Sequence, residues 1–253
     1  MSIKKLSIHR PNKKNYDLEH FSYYLAGLID GGGHISKNGY IVITFDSRDI
    51  ESVYKFRSIV EYGHVRKIKG KNACNWIISN RKGIIKIALL IKNKLKHPDK
   101  IWQYNTRLVP NFVSGKTVEN YTIDWHTPWF SGFFDADGYL RVSISNRKHQ
   151  LRPEIRLLGQ IDQKKDILLK QIQLKFGGFL GYRKSQDTYY YSSTSFQNMG
   201  KLLRFFDQFS LQFKNSFLRY VILRKSYLVV QDKGHLKKAG FVKIEKYYNK
   251  LKI

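Results

Sequence analysis

The stretch Tyr23–His34, YYLAGLIDGGGH, reads as a short apolar helix that runs into three glycines. A second stretch, Trp129–Gly138, WFSGFFDADG, aligns with it without a gap at an offset of 105 residues, the spacing from Gly32 to Asp137. The same offset sets Gly27 against Gly132 and Asp30 against Asp135. The residues after each stretch repeat as well. Tyr40–Asp46 and Ile155–Ile161 read as strands, and Asp49-Ile50 and Asp166-Ile167 each open an amphipathic helix. Glycine corners then stand at Gly63 and at Gly177-Gly178. Beyond them, Val65–Ser79 and Leu180–Thr194 read as hairpins turning near Gly70 and Asp187, with helices expected over Lys82–Lys94 and Phe196–Phe206.

The chain therefore reads as an α+β protein made of two pseudo-symmetric α-β-β-α-β-β-α halves. Residues 1–113 form the first repeat, 114–124 a polar linker, and 125–253 the second repeat with a basic C-terminal extension. Small residues at Ala26-Gly27 and Ser131-Gly132 allow two otherwise bulky helices to approach backbone to backbone. An acid at the very end of each helix would then stand beside the other, and such a pair can hold divalent cations against a phosphodiester. Asp137 is such an acid; the first stretch has Gly32 in its place. Asp30 is no substitute. Its equivalent, Asp135, lies two residues before the terminal position, about 200° around the helix at roughly 100° per residue. His34 lies just beyond and reads as a surface residue at a strand start.

Charge points to the partner. The 253 residues carry 46 Lys and Arg against 19 Asp and Glu, a net charge of +27 spread along the chain rather than held in one tail. A polyanion is implied. No apolar run approaches the roughly 18 residues that span a bilayer, so nucleic acid is favoured over lipid. The single Cys74 excludes an intramolecular disulfide and a multi-cysteine zinc site, and the eight His show no metal-ligand spacing. The basic N-terminal residues contain no secretory pattern. Abundant Lys, Ile, Asn and Tyr suggest an AT-rich gene of an organelle, with a mitochondrial location expected.

Strand alternation nominates the binding face. Along Leu140–Ser145, Leu140, Val142 and Ile144 fall inward, leaving Arg141, Ser143 and Ser145 on the other surface as donors for bases and phosphates. The same logic adds Arg66, Lys67, Lys69 and Lys71 from the first repeat, and Arg147, Lys148, Arg183 and Lys184 from the second. The segment from His235 to Lys252 reads as a further basic helix.

Leu25–Gly33, LAGLIDGGG, resembles the motif for which the LAGLIDADG homing endonucleases are named. The second motif is looser in its first letters and keeps Asp135-Ala136-Asp137-Gly138. Both motifs, their spacing and the strands after them are similar to the monomeric two-repeat members. The resemblance implies a saddle of curved antiparallel sheets on double-stranded DNA, with a metal-binding acid, for magnesium, at the eighth motif position. Asp137 occupies that position in one repeat and Gly32, a degenerate site, in the other. It also implies that Gln163 orders water near the scissile phosphate with Asp46 as its approximate partner, and that Lys100 and Lys214 stabilise charge on the phosphate. The missing acid leaves an inactive or nicking DNA-binding protein, an RNA-binding maturase or ribonucleoprotein component, and a deliberately introduced glycine as open alternatives.

Overall fold

The computed structural model describes residues 5–146 and 153–251. The first repeat runs α1 (Leu18–Gly32), β1 (Gly33–Ile35), β2 (Ile41–Asp46), α2 (Ile50–Val60), β3 (His64–Lys67), β4 (Ala73–Ile78), α3 (Arg81–Ile91) and α4 (Pro98–Gln103). The second runs α5 (Trp129–Asp137), β5 (Gly138–Ser145), β6 (Glu154–Gln163), α6 (Ile167–Phe176), β7 (Phe179–Arg183), β8 (Thr188–Ser193) and α7 (Phe196–Gln208). Two further helices complete the order, α8 (Lys214–Gln231) and α9 (Lys238–Lys250). Each repeat builds a four-stranded antiparallel sheet in the same spatial order, β1-β2-β4-β3 and β5-β6-β8-β7. The glycine corners are real. Gly63, Gly177 and Gly178 all have positive φ, and a side chain on Gly63 would meet the Trp76 indole. The helix expected to reach Lys94 stops at Ile91, where Asn93 turns left-handed.

Contacts divide the chain into two compact units. One comprises Lys14–Asp137 and the short segment Leu211–Asn215. The other comprises Gly138–Ser210, the chain from Ser216 onward, and the N-terminal segment through Lys13. The motif helix α5 thus clusters with the first repeat's elements, and the reason is its contact with α1. Both helices are apolar around most of their circumference, and Phe21–Ile29 (Tyr23 excepted) and Trp129–Phe134 are buried. A methyl group on Gly27 would fall on the Trp129 carbonyl oxygen and 2.9 Å from the Phe133 nitrogen. On Gly132 it would fall on the Tyr24 carbonyl and 2.9 Å from the Leu28 nitrogen. The close approach anticipated through Gly27 and Gly132 is therefore present and reciprocal.

In the second unit the N-terminal segment is held against α8. Leu6 and Gln231 exchange two hydrogen bonds at 2.7 and 3.1 Å, and buried Arg224 donates to the Ser7 and His9 carbonyls and to Asp207. Among the described residues no helix is long and apolar enough to cross a membrane.

Backbone stands where the Gly27 side chain would be, so neighbouring side chains cannot make room. Gly27→Ala is expected to destabilise by about 3 kcal/mol, which at about 2–4 °C per kcal/mol lowers the melting midpoint by about 10 °C. An unchanged midpoint in a thermal scan would contradict the packing described.

Candidate nucleic-acid interface and catalytic site

The ends of α1 and α5 differ in one decisive atom group. Asp137 is exposed at the end of α5, and Gly32 ends α1. A Cβ on Gly32 would lie 3.4 Å from the Ala136 Cβ and from the Thr44 carbonyl oxygen, an ordinary contact distance. A Cβ on the neighbouring Gly31 would lie 2.5 Å from the Ala136 Cβ. Packing therefore demands glycine at 31 and leaves room for a side chain at 32.

Two residues back, the paired acids are buried and committed to structure. Asp30 accepts from the Lys96 and His97 amides at 2.7 and 3.2 Å and from the Trp129 indole at 2.9 Å. Asp135 accepts from the Gln212 and Phe213 amides at 2.6 and 3.1 Å and from the Tyr24 hydroxyl at 2.8 Å. Trp129 belongs to α5 and Tyr24 to α1, so each acid is bonded to the opposite helix. Each also fixes the chain just before a lysine-bearing helix. His97 caps α4, whose third residue is Lys100, and Lys214 is the first residue of α8.

The two lysines end in different settings. Burial pushes Lys100 down from its ordinary pKa, while Asp30, Asp99 and Asp137 push it back up and Arg107 adds to the depression. Asp137 and Lys100 are thus within electrostatic reach of each other, and His34 shares the neighbourhood, its pKa lowered by burial and then by Lys100 and Arg107. Lys214 is exposed and paired with Glu51 at 2.9 Å. Its amide and that of Asn215 donate to Ser52 Oγ and Asp49 Oδ1, at 3.1 and 2.7 Å, which caps α8 from the first repeat.

Strand register corrects one pairing. Gly33 faces Ile43 and Gly138 faces Ile161, so the counterpart of Gln163 is Phe45, and Asp46 is one residue out of phase. One residue of slip reverses the face in a strand. Gln163 and Phe45 are buried, whereas the Asp46 carboxylate caps the next turn and holds Arg48 at 2.8 Å.

The exposed sheet faces carry most of the nominated residues. Arg66 sits beside Asn75 and Thr44, whose side chains are hydrogen-bonded at 2.9 Å. Lys67 pairs with buried Cys74 and so points to the other side, and Lys69 and Lys71 lie in the turn. On the second sheet, Arg141, Ser143 and Ser145 share the outward face, beside Leu158, Arg156 and Glu154. Arg183 donates to Asp162 at 2.9 Å and lies 4.4 Å from the Tyr190 ring centre, while Gln160 donates to Asp162 at 3.1 Å. Lys184 opens the turn between β7 and β8; Arg147 and Lys148 lie outside the described residues. Sequence reasoning missed the Gln160–Asp162–Arg183–Tyr190 network, as it did Tyr24, Trp129 and Glu51. For Tyr24 and Trp129 the signal was present, since the 105-residue offset aligns them as donor-bearing aromatics.

Among the described residues no group of three or more His, Cys, Asp or Glu is placed to hold a metal ion. At one helix end Asp137 offers a single exposed carboxylate, and at the other Gly32 offers no side chain.

A family model described as LAGLIDADG endonuclease matches residues 130–226. An uncharacterized cox1 intron-2 protein of 37.2 kDa from Schizosaccharomyces pombe is 42% identical over 97% of this chain and 77% of its own length. The intron-encoded RNA maturase bI4 of Saccharomyces cerevisiae is 28% identical over 67% of this chain, and the probable intron-encoded endonuclease aI2 of Debaryomyces hansenii 26% over 94%. The chain spans only 26% and 39% of those two relatives. Among solved structures, the meganuclease I-SmaMI bound to uncleaveable DNA superposes with a TM-score of 0.74 at 19% identity, covering 91% of this chain and 98% of that one. I-LtrWI, a LAGLIDADG homing endonuclease bound to target DNA, gives 0.72 at 19%, covering 92% and 98%. I-SmaMI on uncleaved DNA with calcium ions gives 0.69 at 19%, covering 90% and 97%.

Burial pushes the Asp30 carboxyl up to about 7, against its three donors and Lys100. An acid whose folded pKa exceeds its unfolded value near 4 binds more protons when folded, between those two values. Its contribution to stability is therefore fullest below about pH 4 and is lost as pH rises toward 7. Asp30→Asn, which does not titrate, should gain stability relative to the parent between about pH 4.5 and 7.5, beyond any constant offset from altered hydrogen bonding. Denaturant unfolding at the two pH values checks this, and a constant difference would refute it.

Proposed function

The chain belongs to the LAGLIDADG endonuclease family, and from that membership we infer a duplex-DNA-binding protein whose ancestral reaction is metal-dependent phosphodiester hydrolysis and whose cleavage is crippled at Gly32. One observation carries the reading: Asp137 with Lys100 near it at one helix end, and at the other a glycine where a side chain would fit. The DNA bound by I-SmaMI and I-LtrWI supports the choice of ligand, as do the net charge of +27 and the polar outward faces of both sheets.

In this reading Asp137 holds a divalent cation, magnesium in the cell, which when bound supplies positive charge to the scissile phosphate and acidifies its water. Lys100 faces the same phosphate and offsets charge that develops on its oxygens. Gln163, at the end of β6, orients the attacking water. Gly32 brings no carboxylate to the second position, and Lys214 is turned to Glu51. Hydrolysis is lost and binding is kept. Arg66, Arg141, Ser143 and Arg183 contact the duplex from the sheets, with Lys69, Lys71 and Lys184 reaching phosphates from the turns. The protein acts as a monomer, with residues 1–113 and 125–253 as its two half-site readers. The relatives' names, a cox1 intron product among them, support an intron-encoded protein of an organelle, here the mitochondrion.

A second reading, RNA binding in intron splicing, is favoured by the maturase among the relatives and by the same missing acid. Gly32→Asp separates the two. With magnesium on duplex DNA that the protein binds, the variant should cut both strands while the parent cuts neither. A parent that already cuts both strands would remove Gly32 from the catalytic position. A variant that binds tightly and stays inert would favour the RNA reading.

A further inference from the structure

Several cations in and beside the sheets are engaged within the protein, while Arg66 and Arg141 are exposed on the strands. Arg48 is paired with Asp46, Arg156 with Glu154 and Arg183 with Asp162, and Lys164 donates to the Gln186 and Asp187 carbonyls. Helix α9 is different. Lys238, Lys243, Lys246 and Lys250 are exposed along it, with exposed Lys237 just before, and among the described residues none of the five has an ion-pair partner. Glu245 is the helix's only acid.

The opposite side of α9 is anchored. Ile244 is completely buried, flanked by half-buried Phe241, Tyr247 and Tyr248, and the helix packs against β5, the edge strand of the second sheet. Lys243, Lys246 and Lys250 fall at spacings of three and four residues on the solvent side, so they are neighbours of like charge, an arrangement that by itself weakens a helix. It persists because the apolar side holds the helix in place. From Lys243 to Lys250 is about 10 Å along the axis, about three nucleotide rises of a duplex strand. β5 itself presents Arg141 and Ser143 on its outward face.

We propose that the lysine face of α9 is a phosphate-contacting rail that follows one strand of duplex DNA alongside β5. This rests on the DNA-binding reading above and adds to it an element outside the sheets. The contact is independent of base sequence and extends the bound length of the duplex beyond that covered by the strands. The charge of α9 adds affinity, and the polar side chains of the sheets supply orientation.

The test is a salt titration of the full chain on mixed-sequence duplex DNA from roughly 50 to 200 mM salt. The parent should show a steep fall in affinity. The triple variant Lys243→Gln, Lys246→Gln, Lys250→Gln should lose about 2 to 3 from the slope of log affinity against log salt, near 0.9 for each phosphate contact. A control of equal charge change, Lys55→Gln, Lys82→Gln, Lys201→Gln, on α2, α3 and α7, should leave the slope within about one contact of the parent. Circular dichroism confirms that both variants fold. If the parent shows no salt dependence, the DNA reading itself fails. A steep parent with an α9 variant matching the control overturns the rail and leaves that reading standing. Loss of binding by the α9 variant to a structured intron transcript, with duplex binding intact, overturns it in favour of an RNA surface.

Discussion

The contact between α1 and α5 is the constraint on which the rest depends. At Gly27 and Gly132 each backbone occupies the space where the other's side chain would be, so the two helices have one permitted approach. That approach places Trp129 over Asp30 and Tyr24 over Asp135. The acids then reach outward to the amides of Lys96 and His97 and of Gln212 and Phe213. A single close contact thus determines where two distant stretches of chain, each leading into a lysine, are held. Loosening the helix pair would release both lysines together.

Buried acids of this kind are costly to maintain. Each carries three strong donors, because an ionised carboxylate without them would be far more costly than a neutral side chain. The rise of the Asp30 pKa shows that burial still outweighs the donors there. What the arrangement gains is direction, since two consecutive amides and one side chain of the opposite helix fix each carboxylate and, through it, the segments they belong to.

The repeat was legible because it is written in residues that packing cannot exchange. Gly27 and Gly132, Asp30 and Asp135, and the glycine corners after α2 and α6 all stand at fixed offsets, and the two sheets could be placed from them. Register was less legible. The strand segments Tyr40–Asp46 and Ile155–Ile161 align by their apolar content, which does not distinguish one residue of slip, and only the pairing of Gly33 with Ile43 and Gly138 with Ile161 resolves Phe45 as the match of Gln163. The side-chain partnerships of the outward faces were not legible at all. That Arg183 would lie against Asp162 and Tyr190, and Arg48 against Asp46, depends on how the backbone of each sheet folds back on itself. The capping of α8 by Asp49 and Ser52 crosses from one repeat to the other and left no mark in the local pattern.

Set side by side, the two halves have diverged unevenly. Gly27 and Gly132, Asp30 and Asp135, and an aromatic donor on each helix remain matched, whereas the last residues of the two helices differ. Gly32 faces ordinary contact distances and carries no carboxylate, while Gly31, one residue away, is confined by Ala136. Lys214 has an exposed partner in Glu51, while Lys100 is half-buried and within electrostatic reach of Asp137. A strand leaves each helix end directly, β1 after Gly32 and β5 after Asp137, so the helix contact fixes where each strand begins. What is matched between the halves is therefore the geometry of the Gly27–Gly132 approach and of the two buried acids, and what differs lies at the exposed ends of the helices.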